Sequence, residues 1–254
     1  MMFALHGRAT DATGKSKLLA LTCSDMENTL VRLTISQSEL FANWPAAAIL
    51  RLVQAAEVVT VEENTVIHRT HDVPTYLYLL ATGSMHLIRD MPSGRNFTAG
   101  MHLAGEFHGI GPVITRSPHI YTAECREKTV LVRIPGDLLR DMMIHDGALA
   151  CSLMSAMVSR HRGALSRYEG AAVLSTRARV ATLLNSIYVR SARGGRASSI
   201  NLSQEEIASM LGTRRQVVNR VLREMEAEGA VHVQYGRIEI SDIAKLEKMT
   251  EHFE

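Results

Sequence analysis

The period of the apolar positions changes along the chain, and each change marks a different kind of element. Up to about Ile35 the helical periodicity is weak, which predicts a tail or a short helix. Leu40, Phe41, Trp44, Ala48 and Leu52 then share one helical face, which predicts a helix over Leu40–Val53 with Pro45 near its start. From Val58 the period falls toward two. Val58–Val61, Thr65–His68, Tyr76–Ala81, Ser84–Arg89, Asn96–Met101, Ile120–Cys125 and Thr129–Ile134 are short strand-like runs. Turn signals separate them: Glu63-Asn64, Thr82-Gly83, Pro92-Ser93-Gly94, Ala104-Gly105 and Ser117-Pro118. Many short strands at near-regular spacing predict a sandwich or jelly-roll barrel.

Helical spacing returns at Pro135-Gly136-Asp137, which starts a short helix ending near His145. A long helix comes next over about Gly147–Glu169, with Gly170 after it. On it Ala150, Met154, Met157, His161, Ala164 and Tyr168 recur at heptad spacing, with Leu153 and Leu165 alongside. Such a seam suits a dimeric coiled coil or a helix packed on its own domain. Val180, Leu183, Leu184, Ile187 and Tyr188 predict another amphipathic helix, and beyond it lie the Gly194-Gly195 loop and a short strand Ser199–Leu202.

The segment Ser203–Glu228 reads as two helices joined by a tight turn. Ser203 with Glu206 forms a capping-box pair that starts the first helix at about Gln204, and Ile207, Met210 and Leu211 share one side of it. Gly212 supplies a permissive turn, and Thr213 with Gln216 repeats the start signal. Val218, Val221, Leu222 and Met225 then form an apolar face, leaving Arg214, Arg215, Gln216, Asn219, Arg220 and Arg223 outside. Those side-chain types hydrogen-bond guanine and adenine edges in a major groove. A plain helical hairpin with a solvated charged face has the same pattern. Beyond Gly229, however, Val231–Gln234 and Arg237–Ile240 alternate across Tyr235-Gly236, a β-hairpin placed where a winged helix-turn-helix carries its wing. DNA readers of this kind usually bind two half-sites as dimers, so the seam on the long helix between barrel and reader is assigned to a dimer coiled coil.

Composition narrows the picture. The 254 residues suffice for two compact domains, and the net charge is only +2. Attraction to DNA must therefore come from a local patch, and Arg214–Arg223 has four arginines and no acid. Three separated cysteines, Cys23, Cys125 and Cys151, form neither a disulfide framework nor a zinc pattern. Met1–Lys17 lacks the apolar core of a signal peptide, and no apolar stretch nears the roughly 18 residues that span a bilayer. The expectation is a cytoplasmic protein without membrane contact. Nucleophile-elbow, P-loop and zinc-hydrolase motifs are missing, so an enzyme is not expected.

The order of barrel, long helix and winged helix-turn-helix resembles the Crp/Fnr superfamily of bacterial transcription regulators over about residues 36 to 245. Leu202–Gly229 is similar to that family's helix-turn-helix almost residue for residue. Tyr76–Leu87 resembles the central hairpin of the sensor domain, and Ala104–Gly109 its glycine-flanked turn. The resemblance implies an α+β fold: an N-terminal β-roll (a double-stranded β-helix or jelly roll), a long dimerisation helix and a C-terminal winged helix-turn-helix. The boundaries would be 1–35 for the tail, 36–146 for the sensor, 147–170 for the dimer helix and 171–254 for the DNA-binding domain. The implied partners are double-stranded DNA bearing a palindromic operator, a second copy held through residues 150–168, RNA polymerase and a small-molecule effector.

Carried over by position, the base readers fall on Arg215, Gln216, Asn219 and Arg220, with Thr213 and Arg214 at the turn. Gln216 stands where the family usually has glutamate, which changes the base it suits. Arg214 replaces a common serine and is expected to meet a phosphate rather than cap the helix. In the sensor, Gly105, Glu106, Phe107, Gly109, Tyr121 and Thr122 would line the effector pocket. The family's ribose-binding glutamate corresponds to Ile110, and its phosphate-binding arginine-serine pair to Tyr121-Thr122. Cyclic AMP in the usual mode is therefore not expected, since a buried phosphate would lack its guanidinium, and Arg116 or Arg126 would serve only after loop remodelling. Cys23 alone cannot supply an iron-sulfur cluster, though it leaves redox sensing as an alternative, beside a ligand-binding or scaffold module with incidental DNA contact. His68, His71, His86, His102, His108 and His119 all lie in the sensor half, but His68 and His71, three apart on a strand-to-turn segment, do not reliably share a face, and surface or satisfied histidines are preferred to a metal or haem site. No cofactor and no metal are assigned on sequence, and the effector is unidentified.

Overall fold

The computed structural model describes residues 8–10, 16–18, 23–91, 96–193 and 199–250. The Pro92-Ser93-Gly94 turn and the Gly194-Gly195 loop lie outside them. A short ribbon, β1 (Arg8–Thr10) with β2 (Ser16–Leu18), precedes helix α1 (Cys23–Gln37). The weak periodicity before Ile35 thus belongs to a real helix, which buries Val31 and Ile35 in the sensor core. The predicted helix over Leu40–Val53 is divided. A single 3-10 turn covers Glu39–Phe41, and α2 (Ala46–Ala55) begins after Pro45, which lacks the N–H needed to continue a helix and takes the N-cap position. The apolar face survives the break: Leu40, Phe41, Trp44, Ala48 and Leu52 are all buried.

The barrel consists of β3 (Glu57–Val61), β4 (Thr65–His68), β5 (Tyr76–Thr82), β6 (Ser84–Asp90), β7 (Asn96–Leu103), β8 (Phe107–His108), β9 (Thr122–Cys125) and β10 (Thr129–Pro135). They pair antiparallel into two four-stranded sheets, ordered β3-β10-β5-β8 and β4-β9-β6-β7. Leu80, Met85, Ala123, Cys125 and Leu131 pack together across them. Turn chemistry fixes the corners. Gly83 has φ +87°, and a Cβ there would sit 2.2 Å from Thr129 Oγ1, so only glycine fits between β5 and β6.

Four helices complete the first half and lead out of it: α3 (Ile110–Thr115), α4 (Gly136–His145), α5 (Gly147–Val173) and α6 (Thr176–Arg193). Asp146 caps α5 by accepting from the Ala148 N–H at 2.9 Å. Gly170 does not end α5, contrary to the sequence reading. The helix passes through it to Val173, and the missing Cβ lets Leu174 approach, since a Cβ would lie 3.2 Å from Leu174 Cδ1. The C-terminal unit adds β11 (Ser199–Ile200), α7 (Gln204–Met210), α8 (Arg215–Ala227), β12 (Val231–Gln234), β13 (Arg237–Ile240) and α9 (Ile243–Lys248). Its sheet is ordered β11-β13-β12, and β12 and β13 meet at the Tyr235-Gly236 turn, where Gly236 has φ +70°. Among the described residues, no single helix is long and apolar enough to cross a membrane.

Candidate nucleic-acid interface and sensor site

The start of α7 carries the predicted capping box. Ser203 N–H and Oγ–H both donate to Glu206 Oε2, at 2.9 and 2.8 Å, and the Glu206 N–H donates back to Ser203 Oγ at 3.2 Å. Gly212 turns the chain with φ +61°. The second start signal differs from the reading of Thr213 with Gln216. The N-cap of α8 is Arg214, in extended conformation and with no side-chain cap bond, so its guanidinium stays in solvent. The apolar face of α8 is fully committed: Val218, Val221, Leu222 and Met225 are buried with Ile207, Ala208, Ile200 and Ile238. Its other side exposes Arg214, Arg215, Gln216, Arg220 and Arg223, while Thr213 and Asn219 are half-buried. Asn219 Nδ2 donates to Gln204 Oε1 at 3.0 Å, which ties the two helices across the turn. Arg220 lies 3.9 Å from Glu224, a loose exposed pair. The wing is braced on α8 by Glu226, whose Oε1 accepts from the Val233 N–H at 2.8 Å and lies 3.0 Å from His232 Nδ1.

The reader rests on the sensor through α7 and α6. Thr98 N–H on β7 donates to Ser209 Oγ at 2.7 Å, and Met101 and Leu103 join the apolar core of the C-terminal unit. His86 Nδ1 on β6 lies 3.1 Å from Glu206 Oε1, off the axis of a good hydrogen bond. Burial acts to raise the Glu206 carboxyl, but His86 and the Ser203 donors outweigh it and bring it down to about 2. A second tie is bidentate: Arg190 on α6 donates through Nε to Glu106 Oε1 at 2.6 Å and through Nη2 to Glu106 Oε2 at 2.8 Å. Arg190 also donates to Met101 O at 2.8 Å.

That ion pair changes the reading of the effector pocket. Gly105 and Gly109 make the expected turn, with φ +87° and +94°. Glu106, however, points to α6 rather than into a ligand space. Phe107 is buried beneath the Arg160 guanidinium, 4.3 Å from its ring centroid. Tyr121 stacks under Arg89 at 4.8 Å, and Thr122 Oγ1 accepts from the Thr70 N–H at 3.2 Å. Ile110 is buried, and Arg116 and Arg126 are turned to Asp137 and Glu124, at 3.7 and 3.2 Å. The six residues therefore do not converge on a common set of free polar groups.

A cluster that spacing did not reveal stands beside the turn. His68 from β4, His108 from β8 and His119 from the loop before β9 pack their rings together. A Cβ on Gly109 would lie 3.8 Å from His119 Cε1, so this cluster borders the glycine turn directly. Burial lowers all three histidines, His68 to about 4 with help from His119. Cys23 begins α1, and its side chain lies outside the described residues; Cys125 is buried and Cys151 exposed.

The long helix α5 divides its faces more sharply than its sequence does. Leu149, Leu153, Ala156 and Met157 pack on the sensor core. The exposed apolar stripe is instead Cys151, Met154, Val158, His161, Leu165 and Tyr168, still at heptad spacing. Leu153 is 4% exposed and Met154 61%; of the positions expected at a seam Met157 packs on the sensor core, whereas Val158 and Leu165 are exposed.

Comparison with known proteins bears on both the sensor and the C-terminal unit. Residues 178–249 match the family described as Crp-like helix-turn-helix domains, and residues 58–146 match cyclic nucleotide-binding domains. The chain is 26% identical over 178 residues to the cyclic AMP receptor protein of Thermus thermophilus, covering 70% of this chain and 81% of that one. It is 23% identical over 193 residues to the anaerobic regulatory protein of Haemophilus influenzae, covering 75% of each. Among solved structures, FixK2 from Bradyrhizobium japonicum shares the fold with a TM-score of 0.67 at 21% identity, over 78% of this chain and 99% of that one. A CRP/FNR-family transcriptional regulator from Thermus thermophilus does so at 0.62 and 22%, over 77% and 99%.

Proposed function

Given that the chain belongs to the Crp/Fnr superfamily of transcription regulators, we propose that it acts in the cytoplasm as a homodimer whose two α8 helices read a palindromic operator. The observation that carries this reading is the division of α8, with four apolar side chains anchored in the core and its arginines and Gln216 left to solvent. Arg215 and Arg220 can each donate two bonds to guanine O6 and N7, while the amide of Gln216 suits adenine. Arg214, at the N-terminus of α8, meets a phosphate, and Thr213 and Asn219 complete the contact surface.

The dimer forms along α5 through Cys151, Met154, Val158, His161, Leu165 and Tyr168. Tyr168 is 78% exposed and Val158 and Leu165 each 46%, an apolar stripe that a parallel second copy would cover. Two reading helices fixed to one dimer axis favour half-sites about one helical turn apart, roughly 34–36 Å. An effector bound in the β-roll shifts the reader only by favouring one arrangement of the α6–α7 contact with the sensor over another. Cyclic AMP held in the usual way is disfavoured by Ile110, by Tyr121 and by the commitment of Glu106 to Arg190. RNA polymerase is the partner the reading implies at the promoter.

Selection of bound DNA from a random duplex pool tests the reading. The expected product is a two-fold palindrome with one guanine-containing half-site per subunit. Enrichment of no sequence, or of a single unpaired site, is the contrary result.

A further inference from the structure

We propose that His68, His108 and His119 are the ligands of a divalent first-row transition ion, with Zn2+ the best match to their number and type. Their ligand nitrogens lie within 4.8 Å of one another. His68 Nε2 and His108 Nε2 are 2.8 Å apart, and the rings of His68 and His119 stack with centroids 3.5 Å apart. His68 and His119 are buried and His108 half-buried, and among the described residues no group meets the buried Nδ1 of His68 in good hydrogen-bond geometry. Stacking three polar rings out of water around one mutual hydrogen bond is costly, and an ion that accepts a lone pair from each offsets that cost.

The geometry is close to what such an ion needs. Zn–N bonds of about 2.0–2.1 Å at tetrahedral angles set ligand nitrogens about 3.3 Å apart. The His68–His108 pair would open by about 0.5 Å, and the wider separations would close by at most about 1.5 Å, a change within reach of imidazole rotation. The backbones are already braced. His71, in a left-handed turn at φ +74°, donates its N–H to His119 O at 2.8 Å, and the His119 N–H donates to Asp72 O at 3.0 Å. His108 is fixed by the pairing of β8 with β5, opposite Tyr78. A nearby fourth histidine does not join the set: His102 Nδ1 accepts from Arg160 at 3.1 Å and lies 3.6 Å from Glu106. Among the described residues no fourth protein ligand joins the three imidazoles, which leaves one coordination place for water or a small donor. The ion would tie β4 of one sheet to β8 of the other, two residues from the carboxylate that holds Arg190 on α6.

The full-length chain, stripped with chelator and then titrated with Zn2+, gives the test. The expected result is one tightly held Zn2+ per chain, with affinity lowered by more than the roughly 10–100-fold that loss of an outer-shell partner costs when His108→Gln or His119→Gln is introduced. His145→Gln, on the exposed end of α4, leaves binding unchanged. X-ray absorption at the zinc edge of the wild-type protein should show three imidazoles, and this reading holds even if a variant fails to fold. Absence of stoichiometric binding, affinity unaltered in both variants, or fewer than three imidazoles around the ion would overturn the site. Metal retention is measured without DNA, so its failure leaves the operator reading untouched.

Discussion

Glu206 serves two structures at once, and replacing it by glutamine separates them. Its Oε2 accepts both donors of Ser203, closing the capping box of α7, while its Oε1 faces His86 on the sensor at 3.1 Å. Glutamine keeps an acceptor oxygen for the capping box, so Glu206→Gln removes the carboxylate charge, whose charge-assisted contacts with Ser203 and His86 are together worth ~2 kcal/mol. The titration of the carboxyl gives a similar figure. A group held at about 2 instead of 4.5 contributes up to ~3 kcal/mol when ionised, which residual solvent contact reduces toward 2. The folded-state value is depressed, so this stabilisation is complete above about 4.5 and is lost as pH falls toward 2. Urea unfolding of wild type and Glu206→Gln should differ by ~2 kcal/mol near neutrality, and the gap should narrow as pH is lowered from about 5 to 3. A deficit that stays constant across that range, or no deficit near neutrality, would refute the double role of the carboxylate. A double-mutant cycle with His86→Ala isolates the interdomain share, expected at about 0.5–1 kcal/mol.

Arg220→Ala removes an exposed side chain whose only paired acid among the described residues is 3.9 Å away, so folding stability should hardly change. Its affinity for a selected operator should fall by about 1–3 kcal/mol with relaxed preference at one base, read by fluorescence anisotropy; equal weakening on all sequences would contradict base reading. Cys151 opens the exposed stripe of α5, so mild oxidant should cross-link two copies through it, which needs Cα atoms about 4.4–6.8 Å apart. A non-reducing gel without a dimer band under native conditions argues against the parallel seam. Arg190→Met deletes both bonds to Glu106 and the bond to Met101 O. Amides of β7 should then lose hydrogen-exchange protection by about tenfold or more; unchanged protection would show that the Arg190–Glu106 pair is not what holds the reader on the sensor.

Much of this architecture was legible because local signals agreed with one another. The capping box at Ser203, the turn at Gly212, the four buried positions of α8 and the Tyr235-Gly236 hairpin are each set by residues within a few positions of one another. Errors arose where tertiary contacts chose between local options. Pro45 divides a face whose periodicity runs straight across it. Gly170 reads as a helix stop, yet the space it leaves admits Leu174. On α5 both heptad faces are apolar, and only the position of the sensor core decides that Leu153 and Met157 turn inward while Val158 and Leu165 remain outside. The histidine cluster was beyond reach of spacing, since antiparallel pairing in two different sheets gathers residues 68, 108 and 119. The pairing of Glu106 with Arg190, 84 residues apart, was equally invisible and redirects a side chain otherwise assigned to the effector.

The central claim is that the exposed side of α8 touches bases, and Gln216→Glu tests it most directly. Gln216 is exposed on that helix, so the substitution should leave folding intact. Random-pool selection with wild type and variant, run side by side, should return the same palindrome changed at one symmetric position per half-site, from adenine toward cytosine. Identical half-sites from both proteins would contradict it.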